Sequence, residues 1–241
     1  MTKASRIDRI WGAITARADA LGVPVSLGIL CETAADRLPF TGVAVAIRGR
    51  FVASELICVT DPLSRRLEEL QLTIGEGPTL EVLAGSSAIL VEDLDAPDYQ
   101  KRWPLFAPQA VDTGVRAMHV LPLRIGAIRG GVLVLYTDRP ARLTAEILAE
   151  AWVFSELALE LLLDEQAGIG TQHGFRHPHW QFETPAEIHQ ATGMISVQLG
   201  ISVSEAFTRL RARAFTTDRP LSELATDVVT RRIRFDHEDT G

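Results

Sequence analysis

Apolar and polar positions divide the chain into two patterned regions separated by an unpatterned stretch. In the first region, Leu27, Leu30, Ala34 and Leu38 recur at helical spacing and predict a helix over 25–38, stopped by Pro39. The run GVAVAIR at 42–48 predicts a strand, Gly49 and Arg50 a two-residue turn, and 51–60 the returning strand of a β-hairpin. A short helix over 63–70 follows. The loop Ile74-Gly75-Glu76-Gly77-Pro78 then leads into a helix through Leu80 and Leu83, and 88–92 predicts another strand. Residues 101–112 predict a helix made irregular by Pro104 and Pro108. A second hairpin pairs 117–125 with 131–138 around GAIRG. Thr144 is the expected N-cap of a long helix ending at Leu163, dense in apolar residues from Ile147 to Leu162. This order predicts an α+β fold, an antiparallel sheet with helices on its faces.

The second region follows residues 165–182, which are rich in Gly, His and Gln, carry no periodicity, and read as a linker. From 183 to 236 three short helices are expected. Thr184-Pro185-Ala186-Glu187 is a capping box with proline at the first helical position. Ile188, Ala191, Ile195 and Leu199 then share a face until Gly200. Ser202 and Glu205 form a second capping box, before a stripe of Val203, Ala206, Phe207, Leu210 and Ala214. The third helix starts near Asp218 with Pro220 in its first turn. Its stripe is Leu221, Leu224, Ala225, Val228 and Val229, and Arg231, Arg232 and Arg234 stand at its expected end. Three helices of this size enclose one small core, so such a module acts through its surface.

Charge and composition narrow the function. The chain is 46% hydrophobic and carries a net charge of −7, yet residues 183–235 hold seven arginines against six acids. A small basic face in an acidic chain remains compatible with nucleic acid. No stretch reaches the ~20 apolar residues of a membrane helix, and the charged N-terminus has no signal-peptide core, so a cytoplasmic location is expected. Cys31 and Cys58 lie in apolar surroundings and read as small buried hydrophobes rather than a redox pair.

On the second expected helix, Arg209 and Arg213 share a side and Arg211 lies on the opposite flank of the apolar stripe. Guanidinium forks suit phosphate and stack on unpaired bases. Alternatively, this is a solvated face with Glu205 and Arg209 paired at i,i+4. The steps Ala191-Thr192-Gly193, Glu205-Ala206-Phe207, Leu210-Arg211, Ala214 and Leu221 to Ala225 resemble the ANTAR domain from end to end. One departure stands out: the lysine that the family carries after the alanine is Thr192 here. The hairpin-to-hairpin layout and the segment LTIGEGPTLEVLAGSSAILVEDL resemble the GAF family of sensor domains over residues 25–163.

These resemblances imply a GAF-like sensor domain with an N-terminal helix (1–164), a linker (165–182) and an ANTAR-like RNA-binding domain (183–236). They imply binding of paired RNA hairpins in nascent transcripts and control of transcription termination. The RNA-binding residues implied are Ala191, Thr192, Gly193, Arg209, Arg211 and Arg213. They further imply a homodimer through the helix 144–163, alone or together with 5–21, the alternative being that both helices only cover their own sheet, and an input through a small molecule, redox state or partner protein at the GAF domain. The competing readings are a regulator whose helical module grips protein, and a DNA-binding helix-turn-helix, which Pro220 and Leu221 disfavour.

No enzyme is expected: phosphate-loop, nucleophile-elbow and zinc-protease motifs are missing. The chain contains no asparagine, so the Asn-Lys-Phe-Asp-Glu motif of many cyclic-nucleotide GAF domains is missing too. The GEGP loop reads as a structural turn, His119 as a structural strand residue, and His173, His177 and His179 as parts of a polar linker. No cofactor or metal is expected.

Overall fold

The computed structural model describes residues 2–49, 53–126, 128–166 and 186–236. Five antiparallel strands form one sheet: β1 (Gly42–Ile47), β2 (Glu55–Val59), β3 (Ile89–Val91), β4 (Ala117–Ile125) and β5 (Ile128–Thr137), in spatial order β2-β1-β5-β4-β3. The central strands are apolar on both sides because both faces are covered. Leu121, Leu123, Leu133 and Leu135 face one layer, made of α1 (Lys3–Leu21), α2 (Leu27–Arg37) and α7 (Ala145–Gln166). Met118, Val120, Val132, Val134 and Tyr136 face the other layer, made of α3 (Pro62–Ile74), α4 (Pro78–Leu83), α5 (Pro97–Arg102) and α6 (Phe106–Asp112).

The α+β sandwich is therefore present, with local corrections. The expected single helix at 101–112 is two helices. Trp103, at φ −130° and ψ 74° ahead of Pro104, leaves the helical region and ends α5, and Pro108 is tolerated because it falls in the first turn of α6. The second hairpin is tighter than expected. Its ladder continues through Arg124–Arg129 and Ile125–Ile128, so β5 begins at Ile128. β2 starts only at Glu55, and of the expected first turn Arg50 lies outside the described residues.

The GEGP segment is a structural turn. Gly75 caps α3 at φ 87°, in the left-handed region. The Glu76 carboxylate accepts the backbone N–H groups of Leu105 (2.6 Å) and Phe106 (2.8 Å), tying the turn to the start of α6.

α7 begins as expected, with the Thr144 hydroxyl accepting the Ile147 amide at 3.2 Å. Its dense apolar surface is spent within the chain: Ala151, Val153, Phe154, Leu157, Ala158, Leu159 and Leu162 are all buried. α1 covers part of it, with Ile10 and Ile14 buried in the same core. No helix among the described residues is long and apolar enough to cross a membrane.

The C-terminal bundle consists of α8 (Ala186–Leu199), α9 (Val203–Thr216) and α10 (Leu221–Val229). The Thr184 cap and the three linker histidines lie outside the described residues. The Ser202 cap is formed, its hydroxyl accepting the Glu205 amide at 3.2 Å. α10 is shorter than expected: Pro220 is its N-cap and Thr230 its C-cap. Arg231 turns the chain at φ 61°, so the three arginines lie beyond the helix rather than on its last turn. The bundle core includes one residue from the first domain, Leu72 of α3.

Candidate nucleic-acid interface

The structure separates the six residues expected to meet RNA into three environments. Ala191 is 0% and Thr192 1% exposed. Both belong to the packed side of α8, and the Thr192 hydroxyl donates to the Ile188 carbonyl at 2.6 Å. That back-bond lets a polar side chain be buried at small cost. It also means that neither residue is a contact surface here: they position the helix.

Gly193 lies on the open side. It lines a groove with Gln190, Met194, Val197 and Gln198 of α8 and with Arg231 and Arg234. A Cβ at Gly193 would meet nothing within 4 Å among the described residues, so packing against them does not require glycine there. Gln198 accepts the Phe235 amide at 3.1 Å. Arg213 lies over the Phe235 ring at 4.9 Å and reaches the Arg234 carbonyl at 3.4 Å. One turn back, Arg209 pairs with Glu205 at 3.6 Å, the i,i+4 pair expected from spacing. Arg213 thus adjoins Arg234 at the edge of the groove, while the Arg209 side chain is 25% exposed and its Nη1 is buried. Spacing places Arg231 and Arg234 at a helix end, and Gln190 and Gln198 carry no signal in the sequence beyond standing off the apolar stripe.

Arg211 occupies the opposite flank, as spacing predicts, but that flank is covered. Its guanidinium lies 5.8 Å from the Phe207 ring centre and donates through Nε to the Thr73 carbonyl at 3.1 Å. A side chain on Gly75 would collide with it. Burial pulls its pKa below the ordinary guanidinium value. Nearby, the Ser222 amide at the start of α10 donates to the Glu69 carboxylate at 2.6 Å, and His189 of α8 faces Glu55 of β2 at 3.6 Å.

α3 is therefore shared between the two domains. Glu69, Leu72 and Thr73 hold the bundle, while Glu68 and Gln71 point into the first domain. Glu68 accepts from the Gln71 amide (2.9 Å) and the Thr79 hydroxyl (3.0 Å), and its second oxygen has no partner. Burial raises it to about 7, against the lowering effect of those two hydrogen bonds. On the other face of the sheet, His119 packs edge-on against Phe40 at 5.4 Å. Neither ring nitrogen has a hydrogen bond of good geometry. Burial lowers its pKa to about 4, and the Ala141 backbone opposes this only in part.

The fold of the first domain is that of GAF domains. The chain is similar to the GAF domain from the Acinetobacter phosphoenolpyruvate-protein phosphotransferase at 15% identity, covering 70% of this chain and 99% of that one with a TM-score of 0.50. It is also similar to the GAF domain of the corresponding Coxiella burnetii protein at 19% identity, over 70% of this chain and 98% of that one, with a TM-score of 0.48. Residues 181–229 match the ANTAR domain family. No curated protein matches the chain. The chain thus joins a GAF-like fold to an ANTAR domain at residues 181–229.

Proposed function

We propose that this chain is a cytoplasmic, signal-responsive regulator that binds paired RNA hairpins through residues 183–236 and controls transcription termination. Residues 1–164 form its sensory and dimerisation module, with 165–182 as the linker. The observation that carries the RNA surface is Gly193. A glycine inside a helix destabilises it by about 1 kcal/mol relative to alanine, and among the described residues nothing lies within 4 Å of a Cβ added there. That space opens between two glutamines and two arginines. Such a set suits RNA: arginine for phosphate and stacking, glutamine for base edges, and a bare backbone for close approach. Arg213 adjoins this set at Arg234. The dimer would use what α1 and α7 leave open, including Trp11 and Leu163, which are 38% and 36% exposed.

Titration of paired-hairpin RNAs against Gly193→Gln tests the surface. The variant should keep its fold and lose most of its affinity. Unchanged affinity would remove this face from the proposal. One observation favours the protein-binding alternative: Val197, 85% exposed, beside Met194 in the same groove. Pull-down with sequencing separates the two, since recovery of protein without hairpin leaders supports that alternative.

A further inference from the structure

We infer that Cys31 and Cys58 form an oxidant-responsive thiol pair in the GAF-like domain, closing a reversible disulfide between α2 and β2. The inference deepens the sensory half of the proposed function by naming its input as a small peroxide. Cys31 lies on α2 and Cys58 on β2, 27 residues apart in the chain, and both are thiols. Folding brings their sulfurs to 2.6 Å, a direct contact inside the core under α2. The Cys58 sulfur also faces the Leu27 carbonyl at 3.9 Å.

Both are nearly closed to solvent, Cys31 at 1% and Cys58 at 4%. That excludes a bulky disulfide such as oxidised glutathione and admits an oxidant of water-like size. β2 is an edge strand, held by a ladder on one side only, so the entry path is local opening there. Cys58, on that strand, is the attacking sulfur. Its thiolate breaks the peroxide O–O bond and becomes a sulfenic acid, and the departing hydroxide takes a proton to form water. The Cys31 thiol then gives up its proton and displaces the sulfenic oxygen as a second water, forming the S–S bond. The two sulfurs lose two electrons and the peroxide gains them. β2 also carries Glu55, which faces His189 of α8, so the bridge forms on a strand that touches the RNA-binding bundle.

The test exposes the reduced full chain to hydrogen peroxide or to oxidised glutathione. It counts alkylatable thiols after denaturation and maps the linked peptides. Peroxide should remove both thiols and link the two peptides, dithiothreitol should restore them, and glutathione should do neither. Cys31→Ser should instead accumulate a sulfenic acid at Cys58 that dimedone traps, and Cys58→Ser should react about tenfold more slowly or less. Thiols that survive peroxide, oxidation to sulfinic acid without a link, or a bridge formed only by glutathione would each overturn the inference. None of these readouts involves RNA, so the RNA reading stands or falls separately.

Discussion

Arg211 and Thr73 join the two domains: the Arg211 guanidinium donates through Nε to the Thr73 carbonyl at 3.1 Å. That carbonyl lies in the last turn of α3, where backbone oxygens lack helical partners and the helix dipole favours a cation. Around it lie the Glu69–Ser222 contact, the His189–Glu55 pair and Leu72, with Leu70 and Ile74 of α3 lining a cavity shared with Phe215 and Pro220.

Glu69→Ala should loosen this contact without disturbing either core, because Glu69 is only half-buried and its oxygen accepts the Ser222 amide. Hydrogen exchange should rise at Ser222 and through Thr73–Gly75, while the first strands stay protected. Unchanged exchange at Ser222 would mean that the contact does not hold the bundle.

Arg211→Ala and Arg213→Ala should differ in their effect on RNA. Arg213 adjoins Arg234 at the edge of the groove and Arg211 is engaged by α3, so Arg213→Ala should weaken hairpin binding by about tenfold, consistent with the loss of one charge-assisted contact. Arg211→Ala should change affinity less and exchange at Thr73 more. Equal losses of RNA affinity would show that Arg211 leaves α3 when RNA binds.

Thr192→Lys tests the one departure from the family pattern. The position is closed and its hydroxyl is bonded to Ile188, so a lysine must push its charged end out past packed neighbours. The expected outcome is a lower melting temperature with no gain in RNA affinity. A gain at unchanged stability would place this position on the RNA surface.

Glu68 and His119 should give the first domain opposing responses to pH. Burial holds the Glu68 proton up to about 7, against an ordinary value of 4.5. The native state therefore binds a proton that the unfolded chain releases, and stability falls as pH rises through that window. His119 behaves in reverse. Its pKa drops from 6.5 to about 4, so its contribution is present above 6.5 and lost as pH falls. Over roughly pH 4.5–6.5 the two offset each other, giving the wild type a shallow profile. Glu68→Gln should flatten the fall toward pH 7, stabilise the protein above it by on the order of 3 kcal/mol, and uncover the His119 slope. His119→Leu should uncover the Glu68 slope. Denaturant melts from pH 4 to 8 check both, and two variants with the wild-type profile would refute the assignment.

Much of the architecture was legible in local signals. Among the described residues, runs of valine, isoleucine and leucine marked the five strands and helical spacing most helices, because the central strands are buried on both faces and each helix on one. The Ser202 cap and the Glu205–Arg209 pair formed as spacing predicts, since both are interactions within a single turn. Splitting of the helix at 101–112 was half-visible in Pro104. The early end of α10 was not, because Arg231 adopts a left-handed turn that no nearby glycine announces.

The sequence by itself determined the three-helix module, its ANTAR resemblance and the separation of Arg211 from Arg209 and Arg213, because all follow from residue spacing along single helices. Only the tertiary structure decided which of those surfaces is open. Burial of Thr192, the covering of Arg211 by α3, the gathering of Gly193 with Arg231 and Arg234, and the meeting of Cys31 with Cys58 each depend on segments far apart in the chain. Such contacts are set by how whole layers pack against one another, and spacing within one helix or strand carries no record of its distant neighbour.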